Sequence, residues 1–211
     1  MNNYVYTLDG KAYVNITNRC HNACTFCIRN TGDGVAGVGL WLDREPTADE
    51  TLAAFDEIRA REKIDDEVVF CGYGEPTERL DVLVKVASGI KAAGYKLRLN
   101  TNGLGSLAAG RDIAPELKMF DVVSVSLNER DATRYAQITR SEYGEKAFDA
   151  VIEFARSCRD NGINVVFTVV DVIGADGIAA CKALCDGLGI PLRVREYVSD
   201  NYASSKTDST K

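Results

Sequence analysis

Three cysteines, Cys20, Cys24 and Cys27, fall within eight residues in the spacing C-x3-C-x2-C. Three thiolates this close can hold a metal centre. A cubane iron–sulfur cluster has four irons, each wanting a ligand, so three cysteines would leave one iron open. An open coordination position marks catalytic metal sites, whereas structural sites are closed. The competing readings are structural zinc, with four Cys or His ligands, and a redox dithiol. For zinc the second ligand pair is missing, because the single histidine, His21, adjoins Cys20. A dithiol leaves the third cysteine unexplained. Spacing alone favours a cluster and leaves zinc open.

Further polar residues sit where apolar runs end. Cys71-Gly-Tyr-Gly-Glu-Pro76 offers exposed backbone, a carboxylate suited to an ammonium group, and a proline that fixes the turn. Asn100-Thr-Asn-Gly103, Ser126 and Asn128 follow two more runs, and Asp171 follows another. Arg193, Arg195 and Glu196 lie within or just after the last. Taken singly, such residues cap helices and make turns. Together with the triad on one edge, they point to a ligand site.

The elements that must position them are legible as alternating strands and helices. Tyr4–Leu8 and Lys11–Asn15 flank Asp9-Gly10, a hairpin signal, and the second strand is expected to reach Thr17. Strands are expected at Val68–Cys71, Tyr95–Asn100, Asp121–Leu127, Ile163–Val170 and Pro191–Val198. Helices are expected from Thr47, over Leu80–Ala93, near Leu107–Met119 where Pro115 interrupts or starts the helix, over Asp131–Ile138, Tyr143–Asn161 and Gly177–Leu188. Glycines 94, 162 and 189 mark helix ends. The Gly-rich stretch 31–39 reads as a surface loop or a lid and lacks the Gly-Lys-Ser/Thr of a phosphate loop. The tail, 199–211, rich in Ser, Thr and Lys, is expected to be disordered, leaving 1–198 as one domain. Repeated strand–helix units imply right-handed crossovers and a parallel sheet. An open doubly wound sheet and a curved partial barrel both fit. A full barrel typically needs about 250 residues, and this chain has 211. In either case the site lies at the C-terminal ends of the strands.

Composition narrows the function classes. The chain is 45% hydrophobic and 27% charged, with net charge −6 and no basic block, so phosphate-driven nucleic-acid binding is not indicated. No apolar run approaches a membrane span, and the N-terminal residues lack a secretory pattern. Seven scattered cysteines suit a reducing cytoplasm rather than a disulfide framework. Cys71, Cys158, Cys181 and Cys185 read chiefly as small buried hydrophobes, with Cys71 nearest the triad.

Cys20-His-Asn-Ala-Cys-Thr-Phe-Cys27 resembles the C-x3-C-x-aromatic-C signature of radical S-adenosylmethionine (SAM) enzymes, and Gly72-Tyr-Gly-Glu-Pro76 resembles their Gly-Gly-Glu-Pro segment, with Tyr73 in place of a glycine. Thr101-Asn-Gly103 and Ser126-Leu-Asn128 are similar to that family's third- and fourth-strand motifs. Asn15-Ile-Thr-Asn-Arg-Cys20, Cys27-Ile-Arg-Asn30 and Arg193-Val-Arg-Glu-Tyr197 resemble the small TatD-associated subgroup. The resemblance implies an α/β fold, a partial (β/α)6 TIM-like barrel with a parallel sheet and an N-terminal β-hairpin. It implies a [4Fe-4S] cluster on Cys20, Cys24 and Cys27, and an enzyme that cleaves SAM to a 5′-deoxyadenosyl radical. Gly74 and Glu75 would meet the methionyl ammonium, Phe26 the adenine, and Thr101, Ser126 and Asn128 the carboxylate or ribose. Arg140 would pair with the carboxylate, and Asp171 and Arg195 would face substrate. The fifth-strand Gly-x-Ile-x-Gly-x-x-Glu element of many relatives is not evident. The implied partners are SAM, a reductant such as flavodoxin or ferredoxin, and an unidentified substrate. Chain length suggests a site open on one side, suited to a protein or RNA substrate. The alternatives are a zinc-binding, non-catalytic α/β module and, within the enzyme class, a glycyl-radical activase.

Overall fold

The computed structural model describes residues 2–30, 35 and 37–197. Strands β1 (Val5–Leu8) and β2 (Lys11–Val14) form the hairpin, in the register Leu8↔Lys11 to Val5↔Val14. Asp9 and Gly10 both have positive φ (51° and 81°), as a two-residue turn matched to strand twist requires. β2 stops at Val14, short of the expected Thr17, although the Asn15 amide still donates to the Tyr4 carbonyl at 2.8 Å.

Then follow β3 (Glu67–Phe70), β4 (Lys96–Thr101), β5 (Val122–Ser126), β6 (Asn164–Val170) and β7 (Leu192–Arg195). The sheet order is β1 to β7 in sequence, and every pair after the hairpin is parallel. This order decides between the two expected architectures. A doubly wound sheet reverses direction at a switch point. Here each crossover steps the same way, and right-handed crossovers then place the helices on one face. The result is the expected partial barrel: a seven-stranded sheet, six strands of it parallel, not closed on itself.

The core confirms this layering. Val68, Phe70, Leu97, Leu99, Val123, Val125, Phe167 and Val169 alternate along the strands and join one buried cluster with helix residues. The helices are α1 (Ala48–Arg61), α2 (Leu80–Ala92), α3 (Gly105–Ala109), α4 (Ala132–Thr139), α5 (Lys146–Asp160) and α6 (Gly174–Leu188). Thr47 caps α1 through a capping box with Glu50. The other sheet face carries the alternate residues, Asn100, Ser124, Ser126 and Thr168 among them. A small cluster of Tyr6, Leu40 and Tyr73 covers its first strands.

Three boundaries differ from expectation. The helix expected over 107–119 is the short α3, closed by left-handed Gly110, followed by a 3-10 turn at Ala114–Leu117. Pro115 cannot donate a helical hydrogen bond, and the Ser106 and Asp112 side chains accept the Ile113 and Ala114 amides instead. α5 begins at Lys146, because Ser141–Gly144 forms a turn, and α6 begins at Gly174. The tail, and residues 31–34 and 36 of the Gly-rich loop, lie outside the described residues.

Candidate active site

The cysteine loop leaves β2 at the C-terminal edge of the sheet and is sewn to the end of α4. The Ala23 and Thr25 amides donate to the carbonyls of Thr139 and Ile138, each at 2.9 Å. Those carbonyls belong to the last turn of α4, where helical partners run out. His21 pins the outer side: Nε2 lies 2.9 Å from Glu78 and Nδ1 3.0 Å from Glu142. With both ring nitrogens committed to carboxylates, His21 is a tie for the loop.

The three thiols remain partly accessible. The Cys20 sulfur accepts from the Asn22 amide at 3.4 Å and from Asn102 Nδ2 at 3.7 Å. The Cys27 sulfur accepts from Arg29 Nε at 3.4 Å. Burial, then the nearby Glu75 charge, pushes the Cys20 thiol up to about 11. Burial, then the neighbouring Cys27 and Cys20, pushes Cys24 up to about 12. The sulfurs are thus near enough to oppose each other's ionisation. Among the described residues no group of three or more His, Cys, Asp or Glu converges on a single metal ion.

The turn after β3 sits against this loop. A Cβ on Gly74 would come 2.3 Å from the Thr17 carbonyl oxygen and 2.7 Å from that of Arg19. Only glycine allows this backbone approach. Glu75 follows, buried, and its carboxylate is fully engaged. Oε1 accepts from the Thr77 amide (3.1 Å), the Thr77 hydroxyl (2.8 Å) and the Thr101 hydroxyl (2.7 Å). Oε2 accepts from the Asn102 amide at 2.6 Å. Burial raises the Glu75 pKa, and these donors act against it. The Glu75 carboxylate therefore binds the β3 and β4 ends together, and Asn102 extends that link to Cys20. The Thr101 hydroxyl is likewise used internally, donating to Glu75 and accepting the Gly103 amide at 3.0 Å.

The other expected residues fall as follows. Phe26 lies in the cysteine loop, half-buried. Ser126 ends β5 beside Thr168 of β6. Asn128 is buried with φ +61°, a conformation that asparagine tolerates better than most residues. Arg140 is exposed at the left-handed position ending α4. Asp171 accepts the Tyr197 amide at 2.9 Å. Burial raises the Cys71 pKa, with the Arg195 charge and the Asn100 side chain acting against it, so Arg195 and Cys71 share the sheet's open face. Cys158, Cys181 and Cys185 are core residues.

Three residues around the triad were not singled out by the sequence: Arg29, Asn102 and Asn22. Asn22 is buried, and among the described residues both its side-chain amide atoms lack hydrogen-bond partners. The Tyr135 hydroxyl of α4 faces the Asn22 side chain. Unsatisfied buried polar atoms are rare in native folds and mark functional places. Orphaned amide atoms beside Cys20, N–H groups aimed at two sulfurs and three clustered thiols make a donor set that fits an iron–sulfur cluster.

Fold and site together define an α/β half-barrel with a thiol triad at the C-terminal edge of its parallel strands. Streptococcus suis SuiB, solved with bound S-adenosylmethionine, superposes with a TM-score of 0.63 at 16% identity, over 89% of this chain and 38% of that one. Native anSMEcpe with bound AdoMet gives 0.59 at 16% identity, over 89% and 51%. The cobalamin-dependent S-adenosylmethionine radical enzyme OxsB gives 0.53 at 15%, over 86% and 27%. The chain thus spans about half or less of the length of these structures. No curated protein matches it in sequence. The model of the radical SAM superfamily matches residues 14–177. The chain belongs to the radical SAM superfamily, a family of enzymes whose cofactors are a [4Fe-4S] cluster and SAM.

Proposed function

We propose that this protein reductively cleaves SAM and uses the resulting radical to abstract hydrogen from a substrate, with residues 1–198 as the catalytic unit. The observation that carries this reading is the close approach of the Gly74–Glu75 turn to the Thr17–Arg19 backbone that leads into Cys20, with N–H donors aimed at the Cys20 and Cys27 sulfurs. When bound, the cluster and SAM supply one-electron cleavage of the sulfonium, giving methionine and a 5′-deoxyadenosyl radical.

This chain's residues bind and orient. Cys20, Cys24 and Cys27 hold the cluster. The turn at Gly74 and Glu75 receives the methionyl ammonium through its backbone, because the Glu75 carboxylate is occupied in holding the turn. Phe26 borders the adenine. Ser126 and Asn128, with Thr101 setting the β4 end, serve the carboxylate or ribose, and Arg140 offers a guanidinium to the carboxylate. Arg195 and Asp171 border the substrate. The electron donor is a low-potential protein such as flavodoxin or ferredoxin, and the free cysteines suit a reducing cytoplasm. A peptide or protein substrate is favoured over RNA by the net charge of −6, and anSMEcpe has been solved with AdoMet and a peptide.

The test is anaerobic reconstitution followed by reduction with dithionite in the presence of SAM. Expected are about four irons per chain and release of 5′-deoxyadenosine with methionine, both lost in Cys24→Ala. A colourless protein holding one zinc, with no cleavage, overturns the reading. Peptide pools that stimulate deoxyadenosine release would identify the substrate class, and stimulation by RNA alone would reverse the choice between the two.

A further inference from the structure

Arg29 lies two residues beyond the last cysteine, half-buried, and its guanidinium spans the loop. Nε donates to the Cys27 sulfur at 3.4 Å, Nη2 to the Asn22 carbonyl at 3.0 Å, and Nη1 to the Asn18 carbonyl at 3.5 Å. Most of the arginines in this protein sit beside a carboxylate, whereas Arg29 has no salt bridge among the described residues. The sulfur it meets is that of Cys27, one of the three that would be thiolate ligands of a cluster. A guanidinium whose fork is fixed by two backbone carbonyls cannot swing away, so its charge stays against the sulfurs.

We propose that Arg29 sets the reduction potential of the cluster, stabilising the extra negative charge that arrives with the electron. The inference rests on the cluster reading above. Hydrogen bonds to cluster sulfurs and nearby charge are the protein's means of tuning such potentials. A cation against the triad favours the reduced state, in which the cluster and its three thiolates carry one more negative charge. It thereby eases electron entry from a low-potential one-electron donor. Arg29 is a positioning residue: it touches the thiolate ligand, not the substrate.

The test uses the full chain reconstituted anaerobically, with iron content and an EPR-monitored redox titration as readouts. Arg29→Gln keeps a polar side chain and removes the charge; Arg29→Lys keeps the charge and loses the fork. In Arg29→Gln the midpoint is expected to fall by more than 59 mV, a tenfold loss in the one-electron equilibrium. Arg29→Lys is expected to lie between that value and wild type. A full cluster at the wild-type midpoint in Arg29→Gln overturns the proposal. If Arg29→Gln takes up no cluster, iron uptake in Arg29→Lys decides. Rescue by lysine supports the role of the charge. Equal loss in both variants makes the guanidinium a strut and also overturns it. Failure of wild type to take up iron would count instead against the cluster reading itself.

Discussion

The two ends of the parallel strands handle polar side chains in opposite ways. At the N-terminal end, carboxylates meet cations. Glu67 of β3 lies 2.8 Å from Lys11 of β2 and 3.1 Å from Arg98 of β4, an ion row across three neighbouring strands. Asp66 and Lys96 are paired at 2.8 Å. At the C-terminal end, the buried Glu75 is met by no cation among the described residues. Four neutral N–H and O–H groups hold its carboxylate, and the side-chain amide of Asn22 has no hydrogen-bond partner among the described residues. Closed charge pairs stabilise and do little else, while oriented dipoles around open thiols can receive a cofactor. The difference repeats, within an incomplete barrel, the division between a stability face and a catalytic face known for full barrels.

Substitutions at the two ends should separate accordingly. The largest effect is expected for Gly74→Ala, whose Cβ would strike the Thr17 and Arg19 backbone just ahead of Cys20. A cost of about 3 kcal/mol in chemical denaturation, with iron uptake lost, is expected. Normal iron content in this variant would break the link between the turn and the triad. Glu75→Gln should come next, because an amide NH2 would face the N–H and O–H donors. About 2 kcal/mol is expected from urea titrations of the apo-protein.

Glu75 also gives a pH signature. Its pKa in the fold is raised above the ordinary 4.5, so the folded state holds the proton more tightly than the unfolded chain. The stabilising contribution is present below about 4.5 and is lost as pH rises through the folded value. Urea midpoints should show this loss in wild type and not in Glu75→Gln. A midpoint that climbs with pH through this window in wild type alone would reverse the sign.

A smaller effect concerns assembly. Cys20 and Cys24, at about 11 and 12, must lose protons to bind iron. Initial reconstitution rates should therefore rise by about 30-fold from pH 7 to 8.5 where one deprotonation limits uptake. A flat profile would show that deprotonation does not limit assembly. The smallest effect is expected at the other end of the strands. Glu67→Gln should cost about 0.5 kcal/mol and leave iron content and SAM cleavage unchanged. Loss of cleavage there would erase the distinction between the two ends.

Much of this was legible in the sequence for stated physical reasons. Asp9-Gly10 demanded a hairpin, and the strands fell near their apolar runs. The triad and the Gly-Glu-Pro turn were both expected at the C-terminal strand edge, and the structure places them together there. The strand order was not legible, since strand–helix alternation is the same for helices on one face or two. A signal did exist: Leu97, Leu99 and Thr101 alternate with Arg98 and Asn100, and Val123 and Val125 with Ser124 and Ser126. Strands covered by helices on both faces tend to be apolar throughout. An interruption at Pro115 was legible, but the earlier stop at Gly110 was not, because Arg111 and Asp112 suit an exposed helix face as well as a turn. The Asn102 contact joins residues 82 positions apart, a tertiary relation that local spacing does not contain. The occupied carboxylate of Glu75 was hidden for the same reason, as its donors come from two strand ends.

The most direct measurement is EPR of the dithionite-reduced, reconstituted protein with and without SAM. If the triad leaves one iron open for SAM, the reduced cluster gives a signal whose g-values change when SAM is added. A signal indifferent to SAM, or no cluster signal at all, would contradict the claim that this edge of the sheet is a SAM-binding iron–sulfur site.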